Sequence, residues 1–581
     1  MDRAPHYRGY APGNTFTHLN PSKMAERAHK RRKPTPGMTQ NPAVLTTVPL
    51  DNLLTEIHRL LGPTWALPPY DNLLPPFLKP PSSRLQIEDL NYLVRKGAFD
   101  VPQGALGQEI FKSYIRHVHP HMPFLDLDLF SDAIFNTRHT RDDEQGISLL
   151  LFQAVMFAGA FFVDLKHLYA AGFLSRRSAL EALFQRARAL HDFDCEEDEL
   201  IVLQSLLLMT YWSENPDGVK NGRYWINVCV SLASKVDLYP DPSDIKTTSG
   251  RFKNLLWWSM FTRDRLVALP LQEAPLIKNE VYLSLPIPTA EELGIFPPRS
   301  PFSNDYANTC YQDNGNNLAL IFIEKIKLCR CIRDDMFSWG LQRPDLGSRG
   351  IKARRESLML SKLDLDDWLE GLPDEIAFRP KPFLTPNDAD LIFHVHCAWL
   401  QMIYCEIHST LHRQLEFFAE QGNTSRRVLL SDSLGCPVLR GAVEMTTVIE
   451  DLCQKHIIRY LPTSSVPMVL RACIIHIQQM CSGDAQVERT GLKGLLQCIR
   501  ALQQLSKVYG CALFLTSILG GHGSEPLGSS PQDLLKSLDM DTLDRLTSGY
   551  HESATSMVRI REPYDVDVIA QLRTRRESIC Y

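Results

Sequence analysis

The chain has 581 residues, which is long enough for more than one average domain. Of these residues 44% are hydrophobic and 22% are charged, a balance typical of globular proteins. Its formal net charge of −5 excludes a protein whose whole surface attracts nucleic acid, so any such contact needs a local basic patch. The fourteen cysteines are scattered from Cys195 to Cys580, which predicts reduced, mostly buried thiols rather than a disulfide framework.

Residues 1–84 have the composition of a disordered arm, rich in proline, glycine, asparagine, serine and threonine, with weak hydrophobic periodicity. Residues 1–33 contain eight lysines and arginines against two acidic residues, which gives them a local charge of +6. The densest part is a run of four basic residues before a proline, namely Lys30, Arg31, Arg32 and Lys33. Such a run is typical of a nuclear import signal or of a contact with DNA phosphates, although solvated tails also contain it.

From Leu85 onwards, apolar residues recur at three- and four-residue steps between proline and glycine breaks. This predicts an all-α fold, a large multi-helix regulatory domain that follows the disordered N-terminal arm. The helical patterns form a first half at 85–300 and a second half at 318–519, separated by a polar loop at 301–317, and a mostly polar tail follows at 520–581. The longest apolar run, 147–163, is interrupted by polar residues and has no basic flank, so we predict a core helix and no membrane span.

The stretch 251–286 joins an aromatic helix to an extended tail. One predicted helical face carries Leu255, Trp258, Phe261 and Arg265. Pro270 is predicted to end this helix, and the prolines that follow favour an extended segment that lies in a groove.

Two motifs resemble the regulatory middle domain of fungal zinc-cluster transcription factors. The first is this stretch, with its Trp257-Trp258 pair, Asp264-Arg265 and Pro275-Leu-Ile. The second is YIRHVHPHMPFLDLDLF at 114–130, which together with LNYLVRKGAFDVP at 90–102 is most similar to the branch that contains the cutinase-gene activators. Further likeness follows in the family's order over about 85–460. The resemblance implies a nuclear regulator of metabolic or secondary-metabolite genes that responds to a small-molecule effector or a partner and acts as a homo- or heterodimer.

Members of this family usually carry six N-terminal cysteines, which hold two zinc ions and present a short helix to the major groove. Residues 1–194 contain no cysteine, so the resemblance transfers no zinc ligand and no DNA-reading residue to this chain. We therefore expect DNA to be contacted either directly, through phosphates, or through a partner transcription factor. A co-regulator without its own DNA-binding module is the alternative, and an upstream exon could encode the missing cysteines.

A third interpretation is an all-α metal-dependent enzyme. Asp366, Asp367 and Glu370 have the carboxylate spacing of a magnesium-diphosphate site, but Leu391 stands where a second metal triad would need serine. We interpret these acids as solvated helix-terminal residues, so the sequence predicts no catalytic residue.

A histidine- and cysteine-rich helix offers the other candidate for metal binding. His408 and His412 have the four-residue spacing of a zinc clamp, but no glutamate lies between them in the position of a metalloprotease base. The same predicted helix carries His394, His396, Cys397 and Cys405. We interpret the whole set as core residues, which leaves no predicted metal ligand.

Overall fold

The computed structural model describes residues 74–518, apart from 81–83, 136–145, 213–220, 240–243, 245–246, 284, 294–306, 335, 338–347, 382–387, 421–436, 481 and 483. Residues 1–73 of the predicted disordered arm, with its basic run, and the polar tail lie outside the described residues. The end of the predicted arm is ordered instead, because Leu74 and Leu78 are buried in the core and the Lys79 N–H donates to the Ile147 carbonyl at 2.9 Å. Within the described ranges the fold is all-α, as predicted, and the only β feature is a single bridge between Leu78 and Ile147.

The first half of the described chain forms eleven helices. They are α1 (Ile87–Arg95), α2 (Gly104–His117), α3 (Leu127–Phe135), α4 (Leu149–Ala160), α5 (Leu165–Ala170), α6 (Arg176–Asp192), α7 (Glu199–Met209), α8 (Gly222–Lys235), α9 (Thr248–Leu271), α10 (Asn279–Tyr282) and α11 (Ala290–Leu293). Helix α4 packs against α2, α6 and α7, and α9 packs against α8. Every side chain of α4 is buried, which agrees with the core helix predicted for 147–163.

The second half continues with seven further described helices. They are α12 (Ala307–Arg330), α13 (Ser348–Glu370), α14 (Asp388–Glu420), α15 (Pro437–Gln454), α16 (Ser465–Met480), α17 (Ala485–Leu505) and α18 (Gly510–Ile518). Helix α14 packs along α12, α13 and α15, and α16 packs along α17. None of the helices in the described part combines the length and apolarity needed to cross a bilayer.

Helix α12 begins at Ala307, inside the segment 301–317 that we predicted to be a polar loop. The helical part of that segment contains no proline, and Gly315 is its single glycine, at a cost of about 1 kcal/mol relative to alanine. Leu318 and Phe322 are buried further along the helix, and helix propagation from a packed nucleus is easier than starting anew. Packing therefore extends the helix into polar sequence that hydrophobic periodicity alone assigned to a loop.

The two halves share one hydrophobic core. The ring of His117 in α2 stacks on Tyr460 with centroids 4.5 Å apart, and Phe161 stacks on Tyr509 at 5.7 Å. The buried ammonium of Lys325 in α12 donates a hydrogen bond of 2.6 Å to the His121 carbonyl, which follows α2. The core therefore runs from the first described helices to the last without a break between the halves.

Candidate functional site

Three successive charged residues, Arg263, Asp264 and Arg265, interrupt the apolar sequence of α9, and all three are buried. Buried charges are costly unless partners compensate them, so the partners of each residue show what this part of the helix does. Successive helical residues point about 100° apart, which sends these side chains in different directions.

Asp264 fastens the segment after α9 to the helix. Its Oδ1 accepts a hydrogen bond from the Leu276 backbone N–H, and its Oδ2 accepts one from Ile277, both at 3.0 Å. Two guanidinium groups add charge, with Arg265 Nη1 3.3 Å from Oδ2 and Arg223 Nη1 3.4 Å from Oδ1. The side chain is completely buried, so the carboxylate is satisfied by donors instead of by water.

Arg265 and Arg223 tie the same segment from both sides. Arg265 Nη2 donates to the Ile277 carbonyl at 2.7 Å, and its guanidinium lies 4.7 Å from the centroid of the Tyr282 ring. Arg223 Nη2 donates to the Ala274 carbonyl at 2.6 Å. The predicted extended tail thus packs against α9, but it is not extended throughout, because α10 forms one helical turn within it.

Arg263 points into a different region. Its Nε donates to Thr210 Oγ1 and its Nη2 donates to the Thr210 carbonyl, both at 2.8 Å, and the guanidinium lies 5.0 Å from the Tyr211 ring centroid. Within the described residues, Nη1 has no hydrogen-bond partner and the side chain has no ion pair. Leu266, Val267 and Pro270 follow at three-, four- and seven-residue steps and therefore share its face of the helix.

This face of α9 borders a cavity of about 50 Å³, which we call the outer cavity. Its apolar wall comes from Leu266, Val267 and Pro270 of α9 and from Val466 of α16. Its rim is half-buried and leads towards solvent. The rim residues are Asn221, Arg223, Val267, Pro467 and Cys511.

A second, smaller cavity of about 20 Å³ lies behind the outer one, and we call it the inner cavity. The two cavities share Arg263, Leu266 and Ser464 as lining residues. All lining residues of the inner cavity are buried, and they include Lys325 of α12 and His121. Neither lining contains an aspartate or a glutamate, so the inner cavity is a cationic space inside the core.

Burial controls the protonation of this region. Burial, which outweighs the opposing effect of Cys329, lowers the pKa of Lys325 to about 7, and the nearby Arg263 makes a smaller contribution in the same direction as burial. Burial also lowers the pKa of His396 to about 4 and holds the pKa of His121 well below its ordinary value, with nearby cations acting in the same direction. These imidazoles therefore stay neutral at neutral pH, Arg263 carries a positive charge, and Lys325, with a pKa of about 7, is about half protonated and gains its full charge when an anion binds beside it.

The helical region that contains these cavities is similar to known proteins. Residues 111–416 match the family described as fungal specific transcription factor domain. The chain belongs to this family. The two cavities lie partly in the matched region and partly in α16 and α18, beyond it.

Individual relatives of this fungal transcription factor domain extend the similarity beyond the family match. The chain is 33% identical over 485 residues to the cutinase transcription factor 1 beta of Fusarium vanettenii, covering 77% of this chain and 52% of that protein. It is 30% identical over 454 residues to transcription factor cpaR of Aspergillus oryzae, with coverages of 76% and 75%. A fusaric acid cluster transcription factor, FUB12 of Gibberella moniliformis, is 29% identical over 185 residues, 32% of this chain and 26% of that protein.

The chain spans about half the length of the first of these relatives. No solved structure matches the chain. The arrangement of the helices in this fungal transcription factor domain therefore has no solved counterpart among the matches.

The acids considered for magnesium lie on the surface at the end of α13. Asp366 Oδ2 is 2.5 Å from the ammonium of Lys362, one helical turn earlier. Asp367 and Glu370 are exposed. The structure thus places one carboxylate in an ion pair and two in solvent.

The histidines of α14 are spread over different neighbours. His394 Nε2 is 2.6 Å from Asp451 Oδ2, and His396 Nδ1 is 3.1 Å from His121 Nε2. Cys397 and Cys405 are buried, and the rings of His408 and His412 lie with centroids 4.4 Å apart. Across the described part of the chain, no three His, Cys, Asp or Glu side chains come together in a way that could hold a metal ion.

The cavity residues were not identified from sequence. Arg263, Lys325, His121 and Ser464 are far apart in the chain. Two of them, His121 and Arg263, lie in the stretches that resemble the family, but nothing in those stretches indicates that the two residues line one cavity. One usable signal was the run of three charges inside an aromatic, apolar helix, because such residues need special partners when the helix is buried.

Proposed function

We propose that this protein is a nuclear transcription regulator that controls a set of metabolic or secondary-metabolite genes. The observation that carries the proposal is the family match over 111–416. Support for the gene class comes from the names of relatives, one called a cutinase transcription factor and another a fusaric acid cluster transcription factor. The helical domain would be the part that senses a signal and sets transcriptional output.

The sensing part of the proposal is supported by the paired cavities. A regulator that responds to a metabolite needs a concave site with an apolar wall, a few polar groups and a route to solvent. The outer cavity has an apolar wall and a half-buried rim, and the inner cavity adds two buried cations. Effector binding at this site would bias the packing of α9 against α16.

For DNA contact we propose that Lys30, Arg31, Arg32 and Lys33 provide nuclear import and contacts with phosphates that do not depend on base sequence. Sequence-specific binding would then come from a partner, a zinc-cluster transcription factor that pairs with this chain. The alternative is that this chain is a co-regulator that binds no DNA itself. In both schemes the zinc would be bound by the cysteines of the partner.

The first experiment measures DNA binding by the purified full chain over a range of salt concentrations. A variant with Lys30, Arg31, Arg32 and Lys33 replaced by glutamine is compared with a control in which Arg3, Arg8, Lys23 and Arg27 are replaced. Both variants lose four positive charges from the same arm. We expect only the first to lose most of its affinity, with a salt slope that falls by about 0.9 for each phosphate contact removed.

The outcomes separate the two schemes. Weak binding that depends steeply on salt and vanishes in the first variant supports direct phosphate contact. Absence of binding until a zinc-cluster protein is added supports the co-regulator. Site-specific binding by the chain alone, undiminished in both variants, would contradict the proposed role of the basic run. Fluorescent fusions of the same variants test import, since only the first should fail to enter the nucleus.

A further inference from the structure

The inner cavity contains two buried cations that face no acid. We propose that it binds a small organic carboxylate, whose negative charge lies between Arg263 and Lys325 and whose apolar end extends into the outer cavity. The proposal rests on the proposed function, because it names the class of effector that the sensing site would recognise. Binding itself is measured without DNA, so it succeeds or fails independently of any role in transcription.

The first argument is the contrast with other buried cations of the same fold. Arg265 is paired with Asp264 at 3.3 Å, and Arg471 is paired with Glu406 at 2.5 Å. Arg176 has no carboxylate, but it donates to three backbone carbonyls at 2.6–2.9 Å. Each of these cations is compensated within the protein, as buried charges require.

Arg263 and Lys325 depart from this pattern. Across the described residues, neither has a carboxylate within ion-pair distance. Within the described residues Lys325 donates one hydrogen bond, to the His121 carbonyl, although an ammonium group has three donors. Arg263 uses Nε and Nη2 on Thr210 and leaves Nη1 without a described partner. An anion between the two groups would supply the missing acceptors and offset the cost of burying two positive charges.

Polar atoms of the inner lining strengthen this argument. Ser464 Oγ and His121 Nδ1 are buried and have no hydrogen-bond partner among the described residues. Both side chains line the inner cavity and are more than nine-tenths buried. A serine hydroxyl can donate to a carboxylate oxygen, so Ser464 would add a neutral donor beside the two cations. His121 Nδ1 is an acceptor in the neutral ring, so it needs a donor such as water, and Ser464 is the one of the two that supports a carboxylate.

The hydrogen bonds around His121 show which of its nitrogens carries a proton. His396 Nε2 lies 2.9 Å from the Arg116 carbonyl, so this nitrogen carries the proton and donates. The neutral His396 ring then accepts at Nδ1 from His121 Nε2, 3.1 Å away. Burial holds the pKa of His121 well below its ordinary value, so Nδ1 stays unprotonated and recognition of the charge is left to Arg263 and Lys325.

The size and lining of the cavities limit the rest of the ligand. A single water needs about 10–15 Å³ of such space, so cavities of about 50 and 20 Å³ admit a few waters or a short organic acid. Leu266, Val267, Pro270 and Val466 favour an apolar chain in the outer cavity. A monocarboxylate with a short alkyl chain satisfies both ends of the site.

The test uses the purified full chain with sodium butyrate as the probe and butyramide as its uncharged analogue, at matched ionic strength. Calorimetry and thermal unfolding are measured for wild type, for Lys325→Met and for Lys327→Met. The second substitution is the control, because Lys327 lies on the same helix but is half-exposed and pairs with Glu324. We expect wild type to bind butyrate saturably and to show no change in unfolding temperature with butyramide. Lys325→Met should bind butyrate at least tenfold more weakly, and Lys327→Met should bind it as wild type does.

Equal effects of butyrate and butyramide would overturn the proposal, as would unchanged butyrate binding in Lys325→Met. If Lys325→Met does not fold, Val267→Phe gives a second test, since it narrows the outer cavity and leaves both cations in place. Hexanoate should then lose more affinity than butyrate, and equal losses would contradict the placement of the alkyl chain. Butyrate binding without any change in reporter transcription would support the site while refuting the proposed sensing role.

Discussion

Asp264 shows how a single buried charge can hold two chain segments together. Its carboxylate is completely buried, accepts from two successive backbone N–H groups and contacts two guanidinium groups. In Asp264→Asn one oxygen becomes an NH2 group, which faces N–H donors and removes the charge that compensates Arg265. We expect the free energy of unfolding to fall by about 3–5 kcal/mol, measured by urea denaturation. Asp367→Asn, at an exposed site, should change it by less than about 0.5 kcal/mol.

Lys325 gives the fold a specific pH dependence in the absence of ligand. Its pKa is about 7 in the folded chain, below the ordinary value of 10.5 that applies after unfolding, because burial disfavours the ammonium. The unfolded chain therefore binds more protons between these values, and the Lys325 contribution makes the free energy of unfolding rise with pH above about 7. The groups that act on it are Arg263, which lowers the pKa, and Cys329, which raises it.

The measurement is urea denaturation of wild type and Lys325→Met from pH 7 to pH 9. We expect the free energy of unfolding of wild type to rise relative to that of Lys325→Met as the pH increases, because the methionine variant has no group that titrates at this position. The range ends at pH 9 because unfolded thiols ionise there, whereas burial raises the pKa of folded Cys329 to about 12. A difference that stays constant over this range would contradict a depressed lysine pKa.

Close packing of α16 on α17 is the clearest constraint at the scale of elements. A Cβ added at Gly491 would lie 2.8 Å from the His476 carbonyl oxygen and 3.1 Å from the Met480 nitrogen, and one at Gly494 would lie 2.3 Å from His476 Cε1. The two glycines are three residues apart and therefore share one face of α17. They allow the helix backbones to approach more closely than any larger residue would.

Gly491→Ala should separate these helices and lower the free energy of unfolding by about 1 kcal/mol or more. Overpacking costs about 1–3 kcal/mol, and the better helix propensity of alanine returns up to about 1 kcal/mol. Thermal and urea denaturation check the change, with Lys493→Ala at an exposed position of α17 as the control. A variant as stable as wild type would mean that the helices can move apart without loss.

Sequence reasoning succeeded for elements and failed for the site, for physical reasons. A continuous apolar run locates α4, and apolar residues at three- and four-residue steps locate α9, because both signals lie within one local segment. The inner cavity has no such local pattern, since Arg263 and Lys325 meet only when α9 and α12 pack. The start of α12 at Ala307 was not predicted for a related reason, because tertiary packing overrides local polarity.

At the scale of the whole molecule, the shared core predicts that the halves do not fold separately. Contacts such as Lys325 with the His121 carbonyl and Phe161 with Tyr509 join residues more than 200 positions apart. We expect a fragment of residues 85–300 to show no cooperative unfolding transition by circular dichroism. A fragment of 68–581, which retains the whole compact unit, should unfold with coincident circular dichroism and tryptophan fluorescence transitions. Cooperative unfolding of the shorter fragment would refute a single core.

The walls of the outer cavity come from both halves, with α9 on one side and α16 on the other. A molecule that fits there would bind only the folded chain and would therefore stabilise the folded state. At a concentration one hundred times its dissociation constant, it would add about 2.7 kcal/mol to the free energy of unfolding. That is enough to rescue a weakened chain such as Gly491→Ala and to slow its degradation. The cellular abundance of the regulator would then follow the supply of the metabolite, before any promoter is reached.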